Sequence, residues 1–203
     1  GDLNAKRGRV LGMASDGAEA GDAFNLTETA RPFPLEFSFS ADGMMLAFNA
    51  QSDADPTVNN KLFVINSDGS GLRDFTLSGA DRVSWPAWHP REDRILFEGS
   101  GPTEGFELYL ATLDGMIERL PRQATHQARF PAWSSDGSVI AYENHTFNAL
   151  HIVATDEAQD IVVLELSGEA DEMAVISNYA WAPDDRHIAF MARGPSSDSG
   201  ERD

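Results

Sequence analysis

The sequence predicts an all-β fold built from repeated four-stranded antiparallel units. Three observations carry it: an aromatic anchor recurs at near-constant spacing, turn chemistry follows each anchor, and a second Asp-Gly or Asp-Glu turn closes each of three later apolar strands. Self-similarity at this period marks architectures in which each unit buries its apolar surface against its neighbour.

With Trp133 as reference, Phe39, Trp88 and Trp181 occupy the same position, at successive separations of 49, 45 and 48 residues. Seven residues after each anchor stands Leu46, Ile95, Ile140 or Ile188; eight after, Ala47, Leu96, Ala141 or Ala189; nine after, Phe48, Phe97, Tyr142 or Phe190. Between anchor and aromatic lie Ser40-Ala41-Asp42-Gly43, Ser134-Ser135-Asp136-Gly137 and Ala182-Pro183-Asp184-Asp185. These are type I turn residues, with Ser first, Pro second, Asp third and Gly fourth, so each anchor strand reverses into the next. His89-Pro90-Arg91-Glu92-Asp93 keeps the proline and lacks the glycine, which predicts a more strained turn. The strands that follow are apolar at consecutive positions, as in Val139-Ile140-Ala141-Tyr142, the pattern of a strand covered on both faces.

The second half of each unit is a strand running into a turn. Leu62–Gly69, Leu108–Gly115 and Leu150–Glu157 are its three copies, followed by short strands over Leu72–Phe75, Ile117–Leu120 and Ile161–Leu166. Four antiparallel strands in about 45 residues is the dimension of a β-propeller blade. The succession of a Pro-x-Trp-Ser strand, an Asp-Gly turn, an Ile-Ala-Phe strand and a later Asp-Gly hairpin resembles the TolB-like β-propeller repeat over residues 9–193. That resemblance implies radially stacked blades, usually six or more. It also implies a periplasmic or secreted setting and a face that binds protein partners, among them an envelope lipoprotein.

The ends are complementary. Residues 9–27 match the second half of a blade without a first half, and residues 178–191 match a first half without a second. Three whole blades (35–77, 84–122, 129–167) plus one shared between the termini give a single propeller domain over residues 1–203. A closed four-bladed ring is the simplest account. A fragment of a larger propeller and pairing of the split halves between molecules are the alternatives.

Composition bounds the function. At 203 residues the chain has room for one well-buried domain or two small ones, and no apolar run reaches the roughly 18–20 residues of a membrane helix. It begins at Gly1 without a leader pattern, as a processed or excised chain would. A net charge of −18 argues against a nucleic-acid backbone as partner and predicts an acidic, solvated surface. Lys6 and Lys61 are the only lysines, and the absence of cysteine excludes disulfides and thiolate metal sites.

No catalytic constellation emerges. The histidines His89, His126, His145, His151 and His187 fall at unrelated blade positions and at no zinc-ligand spacing; His151, inside an apolar strand, reads as a satisfied core residue. Asp136 and Asp184 are accounted for as turn residues. Asp53 and Asp55 alternate like the start of a calcium loop, but the later Glu and central Gly are missing, so "QSDADPTVNN" reads as an exposed acidic loop. "GSGPTEG" lacks the Lys-Ser/Thr of a phosphate loop. Asn25-Leu26-Thr27 and Asn144-His145-Thr146 are glycosylation sequons, and the tail "GPSSDSGERD" is expected to be mobile unless it completes the shared blade.

What remains is the set of loops preceding the anchor strands, which in a propeller open on one face. They contribute Arg31, Asp81, Arg82, His126, Arg129 and Asp171 as binding candidates, the competing role being ion pairing between blades. The expectation is a non-enzymatic protein-interaction scaffold of the bacterial envelope or extracellular space, without cofactor. Two alternatives stand beside it: a non-catalytic or sugar-binding domain of a larger hydrolase or lyase, and a structural subunit that self-associates through its split blade.

Overall fold

The computed structural model describes residues 11–12, 24–25, 36–50, 60–75, 82–100, 105–120, 128–144, 146, 149–155, 160–165 and 175–193. Every regular element among them is a strand. The chain divides into two compact units, Gly1–Leu120 and Pro121–Asp203.

In the first unit, β1 (Leu11–Gly12) and β2 (Phe24–Asn25) form a two-stranded antiparallel sheet. Next come β3 (Phe37–Phe39), β4 (Met45–Ala50), β5 (Lys61–Asn66) and β6 (Arg73–Phe75), a four-stranded antiparallel meander in chain order. A second meander follows, of β7 (Arg82–Trp88), β8 (Arg94–Ser100), β9 (Phe106–Thr112) and β10 (Ile117–Arg119). The uninterrupted apolar run of β4 is buried on both faces, as its pattern requires. Leu46, Phe48 and Ala50 join Phe63 and Ile65 on one side. Ala47 joins Leu62 and Val64 on the other, against Val83, Trp88, Ile95 and Phe97 of the next sheet. Each large apolar side chain so buried contributes about 1.5–3 kcal/mol, which makes the middle strands the stable centre of each sheet.

The second unit repeats the plan with β11 (Ala128–Trp133), β12 (Val139–Asn144), β13 (Ala149–Ala154) and β14 (Asp160–Glu165). It ends in the two-stranded sheet of β15 (Val175–Trp181) and β16 (Ile188–Arg193). Ala141, Leu150 and Ile176 form the core here, with Tyr179, Trp181 and Ile188 packed on it.

The turns behave as their chemistry dictates. Asp42 accepts from Ser40 Oγ (2.6 Å) and the Met44 N–H (2.9 Å), and Gly43 sits at φ 70°. Asp136 accepts from Ser134 Oγ (2.8 Å) and the Ser138 N–H (2.9 Å). Asp184 accepts from the Arg186 N–H (3.0 Å) and faces His187 Nδ1 at 2.7 Å. These hydrogen bonds hold Asp42, led by Ser40, and Asp184, led by the Arg186 amide, below the ordinary carboxylate range. The His89 turn is held in its own way: His89 Nδ1 accepts from the Arg91 and Glu92 N–H groups (3.1 and 2.9 Å), whereas Ser40 and Ser134 Oγ accept from the Met45 and Val139 N–H groups (2.9 and 3.1 Å). The turn residue forced to positive φ without being glycine is Asp185 (52°), in the fourth copy.

Candidate functional site

Of the loop candidates, Arg82 and Arg129 lie among the described residues, one in each unit; Arg31, Asp81, His126 and Asp171 lie outside them, as do Asp53 and Asp55. Arg82 opens β7, exposed and opposite Ser100. Arg129 stands in β11 opposite Glu143, with its guanidinium 5.0 Å from the centre of the Phe130 ring. The four anchors differ in burial: Trp88 is 6% exposed and Phe39 48%, while Trp133 and Trp181 are half-buried.

The local geometry around these arginines is set by a feature the pattern of apolar residues does not announce. Each anchor strand from β7 onward carries a bulge three residues before its anchor. The register of β7 on β8 breaks between Ser84 and Ala87, that of β11 on β12 between Arg129 and Ala132, and that of β15 on β16 between Ser177 and Ala180. At each break a non-glycine residue lies in the left-handed region: Trp85 (53°), Phe130 (54°) and Asn178 (52°). Bulges re-aim side chains, and three equivalent non-glycine residues held there mean that the surroundings over-determine the conformation.

Those surroundings include hydrogen bonds with the adjacent sheet of the same unit. Tyr179 Oη donates to the carbonyls of Phe130 and, at 2.7 Å, of Ala141; Trp181 Nε1 donates to the Ala132 carbonyl (3.3 Å). In the first unit Asn49 Nδ2 donates to the Val83 carbonyl (3.1 Å) and to Glu36 Oε2 (2.5 Å), and the Trp88 N–H donates to Ser38 Oγ (3.0 Å). The bulge therefore doubles as the joint between successive sheets.

Behind the bulges, ten residues after the anchors, stand Asn49, Glu98 and Glu143, exposed by 1%, 0% and 2%. Burial pushes the Glu143 carboxyl up to about 7, against the pull of the Arg129 charge. His151, 1% exposed, stacks on Tyr142 with ring centroids 4.9 Å apart. Among the described residues no group of three or more His, Asp or Glu side chains stands close enough to hold a metal ion.

Sequence reasoning missed Trp85, Phe130 and Asn178. A signal for two of them was present: Pro86 and Pro131 follow directly, and proline inside a sheet is confined to edges and bulges because it has no N–H to give the ladder. Chemically the arrangement offers an aromatic surface beside a guanidinium, a pairing suited to gripping an extended peptide or a carboxylate.

No protein-family model and no curated protein sequence matches the chain. Solved structures do. TolB from Acinetobacter baumannii superposes with a TM-score of 0.59 at 15% identity, over 97% of this chain and 50% of that one. An oligogalacturonate lyase in complex with manganese gives 0.63 at 14% identity, over 87% and 52%. A chain of the nidogen/laminin complex gives 0.58 at 10% identity, over 76% and 59%. The chain spans about half the length of the first two. At these identities the likeness is one of fold: antiparallel four-stranded sheets of a β-propeller, of the kind seen in TolB.

Proposed function

We propose that this chain is a β-propeller scaffold that binds protein partners through the loop ends of its anchor strands, without catalysis of its own, in a bacterial envelope or outside the cell. The observation that carries the reading is the repeated bulge at Trp85, 38% exposed, and Phe130, in strands that also carry Arg82 and, directly before Phe130, Arg129. Aromatic and arginine side chains are the residues that dominate protein–protein contacts, and bulges are enriched where a side chain must be re-aimed. A net charge of −18 makes Arg82, exposed, and Arg129, half-buried, local exceptions, able to select an acidic segment from a partner. No helix among the described residues is long and apolar enough to cross a membrane. Residues 35–77, 84–122 and 129–167 are the three whole blades of this reading.

The test is selection from a displayed peptide library on the purified chain. Enriched peptides carrying acidic residues, with binding weakened at least about tenfold by Trp85→Ala or Arg129→Ala, support the reading. Enrichment that survives both substitutions, or cleavage of oligogalacturonate by the purified chain, contradicts it.

A further inference from the structure

We propose that the cleft between the β3–β4 turn and the β7–β8 turn is a binding site for a free carboxylate. The second unit holds the same joint filled by the chain itself. There the turn between β11 and β12 presents the Ser135 and Asp136 N–H groups to the Asp185 carboxylate of the β15–β16 turn. That carboxylate accepts from both, at 2.6 and 3.1 Å, and from Ser135 Oγ at 2.6 Å. Successive backbone N–H groups at a turn form a concavity suited to an anion, and hydrogen bonds to an ionised acceptor are the strong ones.

The counterparts in the first unit follow from the anchors. Ala41 and Asp42 stand two and three residues after Phe39, as Ser135 and Asp136 do after Trp133. Glu92 stands four after Trp88, as Asp185 does after Trp181. The other two N–H groups of the first turn are used internally: Ser40 donates to the Met45 carbonyl and Gly43 to that of Ser40, each at 2.9 Å. Among the described residues, no other residue accepts from the Ala41 or Asp42 N–H. Glu92 pairs with Arg94, at 3.6 Å. Between the two turns is a cleft of about 130 Å³, whose walls include Ala41, Asp42, Trp88 and Arg91. One water takes up about 30 Å³, so the cleft has room for a carboxylate.

Two sequence differences suit this copy to an outside ligand. Arg91 holds the position of Asp184, which puts a cation on the lip where the filled copy has an acid. Ala41 holds the position of Ser135, which removes one hydroxyl donor and keeps the backbone pair. The acidic neighbours do not bar an anion. Asp42 engages its carboxylate within its own turn, on Ser40 Oγ and the Met44 N–H, as Asp136 does on Ser134 Oγ and the Ser138 N–H beside the bound Asp185. Glu92 and Asp93 are matched in charge by Arg91 and Arg94. The site lies at the opposite end of the anchor strands from the loops of the proposed function and stands independently of that reading.

Amide chemical shifts of the isotope-labelled chain, titrated with sodium acetate against sodium chloride at constant ionic strength, read the site directly. The Ala41 and Asp42 amides are expected to move downfield together and saturate, while those of Ser135 and Asp136, already bonded, stay in place. Asp185→Ala should make the second pair respond as well. Arg91→Ala should weaken the first response about two- to fivefold, the worth of an exposed ion pair. A blocked peptide with a single aspartate identifies the source, and either answer supports the site: tighter binding than acetate assigns it to a partner's side chain, equal or weaker binding to a small acid. The proposal is overturned if Ala41 and Asp42 respond to acetate no more than to chloride. It is equally overturned if ligand-free Glu92→Gln moves both amides upfield, since Glu92 would then be the occupant.

Discussion

Trp88 and Phe39 occupy equivalent positions and carry opposite expectations. Trp88 is buried between the two sheets of its unit, and Trp88→Ala leaves a cavity that should cost about 3–5 kcal/mol. Phe39 is 48% exposed, and Phe39→Ala should cost less than about 1 kcal/mol in the same chemical denaturation series. Tyr179 holds a bulge through one hydroxyl shared between two carbonyls, so Tyr179→Phe should cost about 1–2 kcal/mol despite preserving the ring. Glu143 gives a pH signature. Its carboxyl rises to about 7 on folding, so the folded chain binds the extra proton between the ordinary glutamate pKa and 7. Stability therefore falls as pH rises through that window, by roughly 1 kcal/mol per unit at its steepest, and Glu143→Gln should flatten that slope. The turn aspartates act in the opposite sense: Asp42, Asp68, Asp114 and Asp184 are held below the usual range by hydrogen bonds, so their contribution is lost as pH falls through their depressed values.

At the scale of elements, the joints between successive sheets lie at both ends of the anchor strands. In the second unit the Asp185 carboxylate accepts from the Ser135 N–H and Oγ, both at 2.6 Å, and from the Asp136 N–H at 3.1 Å, tying one turn to its neighbour. Asp185→Ala should lower the denaturation midpoint by the equivalent of about 1–2 kcal/mol. Asp185→Gly, which frees the positive φ while losing the same bonds, should lower it less. The sheets themselves were legible because turn chemistry and apolar runs repeat at fixed offsets: Leu46, Ile95 and Ile140 sit where the anchors predict and are fully buried. The bulges were not, because Asn178 breaks the aromatic pattern that Trp85 and Phe130 share, and only Pro86 and Pro131 hint at a broken ladder. Glu98 and Glu143 hid for a related reason: each ends an apolar strand, where a carboxylate reads as solvated until its neighbours are known. Of the loop candidates, sequence could name Arg82 and Arg129 but not the ring beneath the second, which depends on a left-handed Phe130.

For the molecule as a whole, the central claim is that one blade plan recurs along the chain, with inner strands as the stable element of each copy. Hydrogen exchange followed by mass spectrometry tests it most directly, since amide protection reports the local opening free energy of each strand. The account predicts slow exchange in β4 and β5, β8 and β9, and β12 and β13, whose apolar residues are largely buried. It predicts faster exchange in the short outer strands β6 and β10, which pair on one side. Protection should therefore rise and fall with the spacing of the anchors, 49 and then 45 residues from Phe39 to Trp88 to Trp133. Protection without that period, or β6 and β10 outlasting β4 and β8, would contradict the account.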